Sequence, residues 1–432
     1  MKILKTSAKS FTRDLNYLLN SQQTPESAYQ KEVQRIISDI KRKKDQALFG
    51  LTKKFDKHSL TPKSIEVSPV EIERAYDQVS RKSIQSFNKA IKNIRTYHRQ
   101  QKQQGSWRFS LGGCTYGMQS LPIDRVGLYV PGGRAAYPST VFMNAIPAQI
   151  AGVKNIVMVT PFPNGECNPY TLIAADLVGI KTIYKVAGAQ AIAALAYGTP
   201  CIPKVDKIVG PGNIFVALAK QQVYGIVDID AIAGPSEVVI IADDKADPSY
   251  VAADLLAQAE HDPFSTSILL TPSEHLIRKV FQQMQLQIVS LNRRPIIEEA
   301  LKNNGALIKT DDLKEAISVA NEIAPEHLQI ITRHPGKILP HVRHAGAIFL
   351  GPLTSVPMGD YGCGPNHVLP TGGTARFFSP LGVYDFIKHS SVLEVHPRGL
   401  KDFGPEVIRM AYFEGLTAHA ESVKLRLHKE FS

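Results

Sequence analysis

Cysteine is scarce: four occur in 432 residues, Cys114, Cys167, Cys201 and Cys363. No two form a CxxC pair, which argues against a thiolate zinc cluster and fits a reducing compartment. No apolar run approaches the roughly 18 residues needed to cross a bilayer. The first residues, with Lys2, Lys5, Lys9 and Arg13, lack the apolar centre of a signal peptide, so a cytoplasmic protein with no membrane partner is expected. The dinucleotide fingerprint GxGxxG is missing, and a conventional Rossmann docking mode is not supported. Low-complexity sequence and long internal repeats are also absent.

What is present reads as an ordinary globular protein, 44% hydrophobic and 21% charged. Its length exceeds what one core usually serves, so two or more domains are expected. The net charge of +11 is concentrated early: residues 1–110 hold 23 Lys/Arg against 10 Asp/Glu. A basic face is a footprint of phosphate binding. Here, however, Lys41 to Lys44 and Lys53, Lys54 and Lys57 flank helical apolar positions without any nucleic-acid-binding motif. A solvated basic face with no nucleic-acid partner is the expectation.

Val33, Ile36, Ile37 and Ile40 follow a helical i, i+3, i+4, i+7 pattern, and Ile84, Phe87, Ile91 and Ile94 repeat it. Between them, Pro62 and Pro69 bracket a β-like run at Ile65 to Val67. From about Gly112, short apolar runs (Val126 to Val130, Ile156 to Val159, Ile183 to Val186, Lys207 to Val209) alternate with helical stretches. The alternation resumes after Gly234 with Val238 to Ile241, Ser267 to Leu270, Ala306 to Ile308, Leu328 to Ile331 and Ala347 to Leu350. Such βαβ repetition implies an α/β fold of two doubly wound parallel sheets, with helical N-terminal and C-terminal extensions. The expected division is an arm (1–22), a first α/β domain (23–111 with 235–380), a second (112–234) and a helical tail (381–432). Strand signals stop after about Pro380. Two similar α/β halves would suit an ancient duplication.

Ligands of parallel sheets bind beyond strand C-termini, where glycine lets the backbone approach closely. Four glycine-rich turns qualify: Pro131-Gly132-Gly133 after Tyr129, Gly188-Ala189-Gln190, Gly210-Pro211-Gly212-Asn213, and Gly234-Pro235-Ser236. The stretch Asp254 to Asp262 reads as the last turns of a helix, on which Gln258 and His261 share a face while Glu260 points elsewhere. Two neutral ligands three apart make half a metal site, with Asp360 and His419 as distant candidates for the rest. Glu326-His327 supplies either two bases of different strength at a bend or a surface pair. The loop from Met358 to His367 holds Asp360, His367 and Cys363. That thiol reads as packing or as the nucleophile of a thiol-dependent aldehyde dehydrogenase. His419 alone reads as structural; with Gln258, His261 and Asp360 it becomes a fourth ligand, and Gly415 marks a break beside it.

The runs GLYVPGG, GAQAIAALAYGT, DKIVGPGN, AGPSE, DLLAQAEH, APEHL, GDYGCGPNHVLPTGGTARFFSPL and EGLTAHA resemble the histidinol dehydrogenase family, in order and across nearly the whole chain. Ala187 stands where that family often has glycine. The resemblance implies a pair of aldehyde-dehydrogenase-like α/β domains in a homodimer whose tail completes the neighbour's site. It further implies zinc-dependent oxidation of L-histidinol to L-histidine through L-histidinal, the last steps of histidine biosynthesis, with two NAD as hydride acceptors. One zinc per subunit would be held by Gln258, His261, Asp360 and His419. Substrate would be held by Ser236, Gln258, His261, His327, Asp360, Glu414 and His419, with His367 as a further contact, and NAD by Tyr129, Gln190 and Asn213. Glu326 and His327 would be the bases.

Overall fold

A computed structural model describes residues 1–20, 26–102, 105–132, 137–232 and 234–431. In chain order its strands are β1 (Lys2–Lys5), β2 (Trp107–Leu111), β3 (Cys114–Pro122), β4 (Arg125–Tyr129), β5 (Asn155–Val159), β6 (Thr182–Tyr184) and β7 (Lys207–Val209). There follow β8 (Asp228–Ile229), β9 (Glu237–Ala242), β10 (Thr266–Thr271), β11 (Gly305–Lys309), β12 (His327–Ile331), β13 (Ala347–Leu350) and β14 (Ile387–Val395).

Two parallel sheets carry the architecture, ordered β6-β5-β4-β7-β8 and β1-β11-β10-β9-β12-β13. Every residue of β9 and β10 is buried, as expected of strands covered by helices on both faces. Each sheet's βαβ winding runs outward from a central strand, β4 or β9, and then reverses on the other side, at β4/β7 and at β9/β12. The repeated order accords with two similar halves. The N-terminal arm is integral to the second sheet: β1 pairs with β11, and Leu15 and Leu18 share a core with Val239 and Ile268.

Helices Glu26–Asp56, Pro69–Asp77 and Arg81–Gln100 lie on the five-stranded sheet's side. Val33, Ile36 and Ile40 pack with Ile192 and Leu195 of helix Gly188–Tyr197, and Phe87 meets Phe142 with ring centroids 5.2 Å apart. Helix Gly188–Tyr197 is buried from Ala189 to Ala196, which its small side chains allow; it is sandwiched between sheet and N-terminal helix. These contacts lay residues 26–100 against residues 112–234, while Asn93 also donates to the Gly362 carbonyl at 2.9 Å. The run at Ile65 to Val67 makes one bridge, Glu66 to Tyr184.

A third sheet, antiparallel β14-β3-β2, was not anticipated. Strands therefore continue past Pro380 although their sequence signals stop: β14 pairs with β3 along nine residues. Its sequence, IKHSSVLEV, is mostly exposed and shows no apolar run. The tail continues as helices Pro397–Phe413 and Thr417–Phe431, broken at Gly415, where φ is +73°. The two helices pack on each other, with Leu427 against Gly404, yet leave Phe403, Met410, Phe413 and Leu425 exposed. No helix among the described residues is long and apolar enough to cross a membrane.

Candidate active site between the two sheets

The N-terminal ends of β9 and β12 lie side by side, His327 in register with Val238. Glu326 and Glu237 hold one another: Glu237 N–H donates to Glu326 Oε2 at 2.9 Å, and Glu326 N–H donates to Glu237 Oε2 at 3.3 Å. The Glu237 carbonyl lies 2.9 Å from His327 Nδ1. A carbonyl can only accept, so Nδ1 carries the proton, and Nε2 is the free lone pair of the neutral ring. Nε2 is buried without a hydrogen-bond partner, 3.7 Å from Asp360 Oδ1. Burial alone would depress the imidazole; Glu326 and Asp360 outweigh it and hold His327 well above its ordinary value. Burial likewise would raise Asp360, but the adjoining His327 ring keeps that carboxyl low. His327 and Glu326 are thus buried together, and the surface-pair alternative is excluded.

Asp360 is the penultimate residue of a short helix, Val356–Tyr361. Its carbonyl lies 2.9 Å from His367 Nδ1, and His367 Nε2 is 3.4 Å from Thr140 Oγ1 in the helix following β4. Burial lowers the His367 imidazole below its ordinary value. The loop thus bridges the two sheets' layers, and Asn366 reinforces it by donating to the Met143 carbonyl at 2.7 Å.

Helix Pro248–Ala259 starts cleanly because Asp247 caps it and Pro248 follows. Near its end Gln258 is buried; His261 lies just beyond, its N–H donating to the Gln258 carbonyl at 3.2 Å. Gln258, His261 and Asp360 line one cavity of about 340 Å³, together with Tyr137, Arg293 and Tyr361. Glu260, expected to point elsewhere, lines it too, because the helix ends at Ala259. Gln258 Nε2 is buried without a partner, so the hydrogen bonding of this amide is incomplete; a metal would be held by its oxygen, because the amide nitrogen only donates. Amide, imidazole and carboxylate form a donor set suited to a labile divalent zinc site. His419 does not line the cavity: it and Glu414 are exposed on the tail. Among the described residues no group of three or more His, Cys, Asp or Glu is placed to hold a metal. Three of the four residues expected as donors therefore line one cavity of a single chain.

Ser236, half-buried, directly precedes β9, so its turn sits at a strand's N-terminal end, not beyond a C-terminal one. Tyr129 is the last residue of β4, and Gln190 and Asn213 follow the C-terminal ends of β6 and β7. Tyr129 is buried, its hydroxyl accepting from Gly188 N–H at 3.2 Å, and burial pushes its phenol up to about 12. Asn213 caps helix Ile214–Val223, accepting from Phe215 and Val216 N–H. At the β4/β7 switch point, Gly210 has φ +116°, and a Cβ there would lie 2.0 Å from the Tyr129 carbonyl. A buried pair, Lys220 and Asp230, grips both polar groups of Gly210: Lys220 donates to its carbonyl and Asp230 accepts from its N–H. Parallel α/β sheets bind their ligands at such a switch point, beyond the strand C-termini. Ala187 has φ −143°, extended backbone that needs no glycine. Gly133 and Ala233 lie outside the described residues.

Two residues of this region have no role in the sequence reading. Glu237 heads a strand otherwise wholly apolar, and a charge at such a place is itself a signal. Asp254 stands one turn before Gln258 on the same helix and is also buried. Cys363, by contrast, is exposed.

The histidinol dehydrogenase family model matches residues 19–427. The chain is 51% identical to the histidinol dehydrogenase of Caldanaerobacter subterraneus over 96% of each chain. The crystal structure of histidinol dehydrogenase from Elizabethkingia anophelis, 40% identical, superposes with a TM-score of 0.92 over 100% of this chain and 99% of that one. A betaine aldehyde dehydrogenase from Staphylococcus aureus, only 13% identical, shares the fold at a TM-score of 0.50 over 87% and 84% of the two chains. Two doubly wound sheets of the aldehyde-dehydrogenase type, the motifs in order and near full-length identity agree: the chain belongs to the histidinol dehydrogenase family.

Proposed function

We propose that the protein oxidises L-histidinol to L-histidine through L-histidinal, the last steps of histidine biosynthesis, in the cytoplasm, reducing two NAD and using one zinc per subunit. The observation that carries this reading is the cavity shared by Gln258, His261 and Asp360, beside the buried bases Glu326 and His327. Gln258, His261 and Asp360 would hold the zinc with His419 from a second copy. The exposed apolar residues of the tail supply a surface for such a homodimer.

In its neutral form, which the raised imidazole reaches only by losing the proton at Nε2, His327 takes the alcohol proton at that nitrogen while hydride leaves the carbinol carbon, its Nδ1–H anchored on the Glu237 carbonyl. Water then adds to the aldehyde. Glu326, held through Oε2 by the Glu237 N–H, accepts a proton from a hydroxyl of the hydrated aldehyde as hydride departs from its carbon and the carboxylate forms. Zinc, when bound, would fix the substrate's imidazole and amino nitrogen and so orient the reacting carbon. Tyr129, Gln190 and Asn213 would hold NAD, which would supply the hydride acceptor. Ser236, His367, Glu414 and His419 complete the substrate contacts. Each L-histidinol consumes two NAD and one water and releases two NADH, three protons and L-histidine. Product analysis tests this: two NADH per L-histidine formed supports the reading, and one NADH with free histidinal as the end product contradicts it.

A further inference from the structure

Glu237 is buried to 3% exposure, and its charged neighbours are Glu326 and His327. Burial and the neighbouring Glu326 raise this carboxyl to about 7, and its ionised form must be satisfied by hydrogen bonds. Oε1 accepts from Gly372 N–H at 3.2 Å and Oε2 from Glu326 N–H at 3.3 Å. Through its own backbone it also meets Glu326 Oε2 and His327 Nδ1. One residue therefore touches both bases and the turn that follows His367.

We propose that Glu237 is a positioning residue: its carboxylate fixes the backbone from which Glu326 and His327 project, and ties them to the Gly372 turn. This deepens the functional reading above and rests on its assignment of Glu326. An amide in its place offers one acceptor where two N–H groups need one each, so one donor is left facing another donor. The segment at Glu326 then shifts, and a displacement of about 1 Å at a reacting group costs roughly 100-fold in rate.

The test compares E237Q, E326Q and the double variant as zinc-loaded proteins, with L-histidinol and with L-histidinal as substrates. E237Q should lose roughly 10- to 100-fold in kcat, more on L-histidinal than on L-histidinol. Its KM for L-histidinol and its zinc content should stay near those of the parent. The double variant should be no slower than E326Q alone, because one acts through the other. Wild-type kcat in folded E237Q, or fully additive losses, would overturn the proposal while leaving the assignment of Glu326 intact. Undiminished oxidation of L-histidinal by E326Q would instead overturn the reading beneath it. Should E237Q fail to fold, E237D replaces it: one methylene shorter, it cannot reach both N–H groups. The same kcat loss at constant KM is expected, and wild-type kcat in E237D would overturn the proposal.

Discussion

Gln329 Nε2 donates to Asp254 Oδ2 at 2.6 Å, with both side chains buried, and this bond joins the helix bearing Gln258 to the strand bearing His327. Burial raises the Asp254 carboxyl to about 6, against the opposing pull of the Gln329 amide. The folded protein thus keeps a proton that the unfolded chain releases near pH 4. Stability falls as pH rises from about 4 to 6 and stays reduced above. Asp254→Asn still accepts from Gln329 and offers a donor to Gln329 Oε1, which has no partner. The substitution should stabilise the protein at pH 7 by about 1 to 3 kcal/mol and change little near pH 4. Urea denaturation at the two pH values checks this; a loss of stability at pH 7 would contradict it.

The fold was legible where burial is two-sided. β4, β5, β9 and β10 announce themselves as unbroken apolar runs because both faces meet helices. β14 did not, since a strand exposed along most of its length places no constraint on hydropathy. Nor could pattern alone say which sheet the stripe of Val33, Ile36 and Ile40 covers, because an apolar face specifies burial and not its partner. At the site, Gln258, His261 and Asp360 were readable from residue chemistry and family likeness, and they line one cavity. Glu237 was not singled out, because its role depends on backbone N–H groups from Glu326 and Gly372, far away in sequence.

Glu326→Gln keeps the shape of a buried side chain and removes the group assigned to the second oxidation. Zinc content should be normal and conversion of L-histidinol to L-histidinal should survive. Conversion of L-histidinal to L-histidine should fall by roughly 100- to 10,000-fold, the usual worth of a positioned base. Stopped-flow measurement of each step distinguishes the outcomes, and equal loss in both would contradict the division of labour between Glu326 and His327.

His261→Asn and His419→Asn probe the metal and the dimer together. Each variant alone should retain zinc at least ~100-fold more weakly, since loss of a group that merely orients a ligand already costs 10- to 100-fold. His419 is exposed on the tail helix, away from the cavity of its own chain. Mixing the two inactive variants under subunit exchange should therefore restore part of the activity, because some sites then draw both donors from intact positions. No recovery in a mixture shown to have exchanged would place each site within one chain.

The central claim is that a divalent metal, held beside His327 and Glu326, orients L-histidinol for oxidation by NAD. It is met most directly by following NADH absorbance after L-histidinol is added to zinc-loaded protein, with and without a chelator. NADH should form without chelator, cease to form with it, and form again when zinc is restored. Absence of NADH in every arm, or a rate indifferent to the chelator in protein shown to have lost its zinc, would contradict the account.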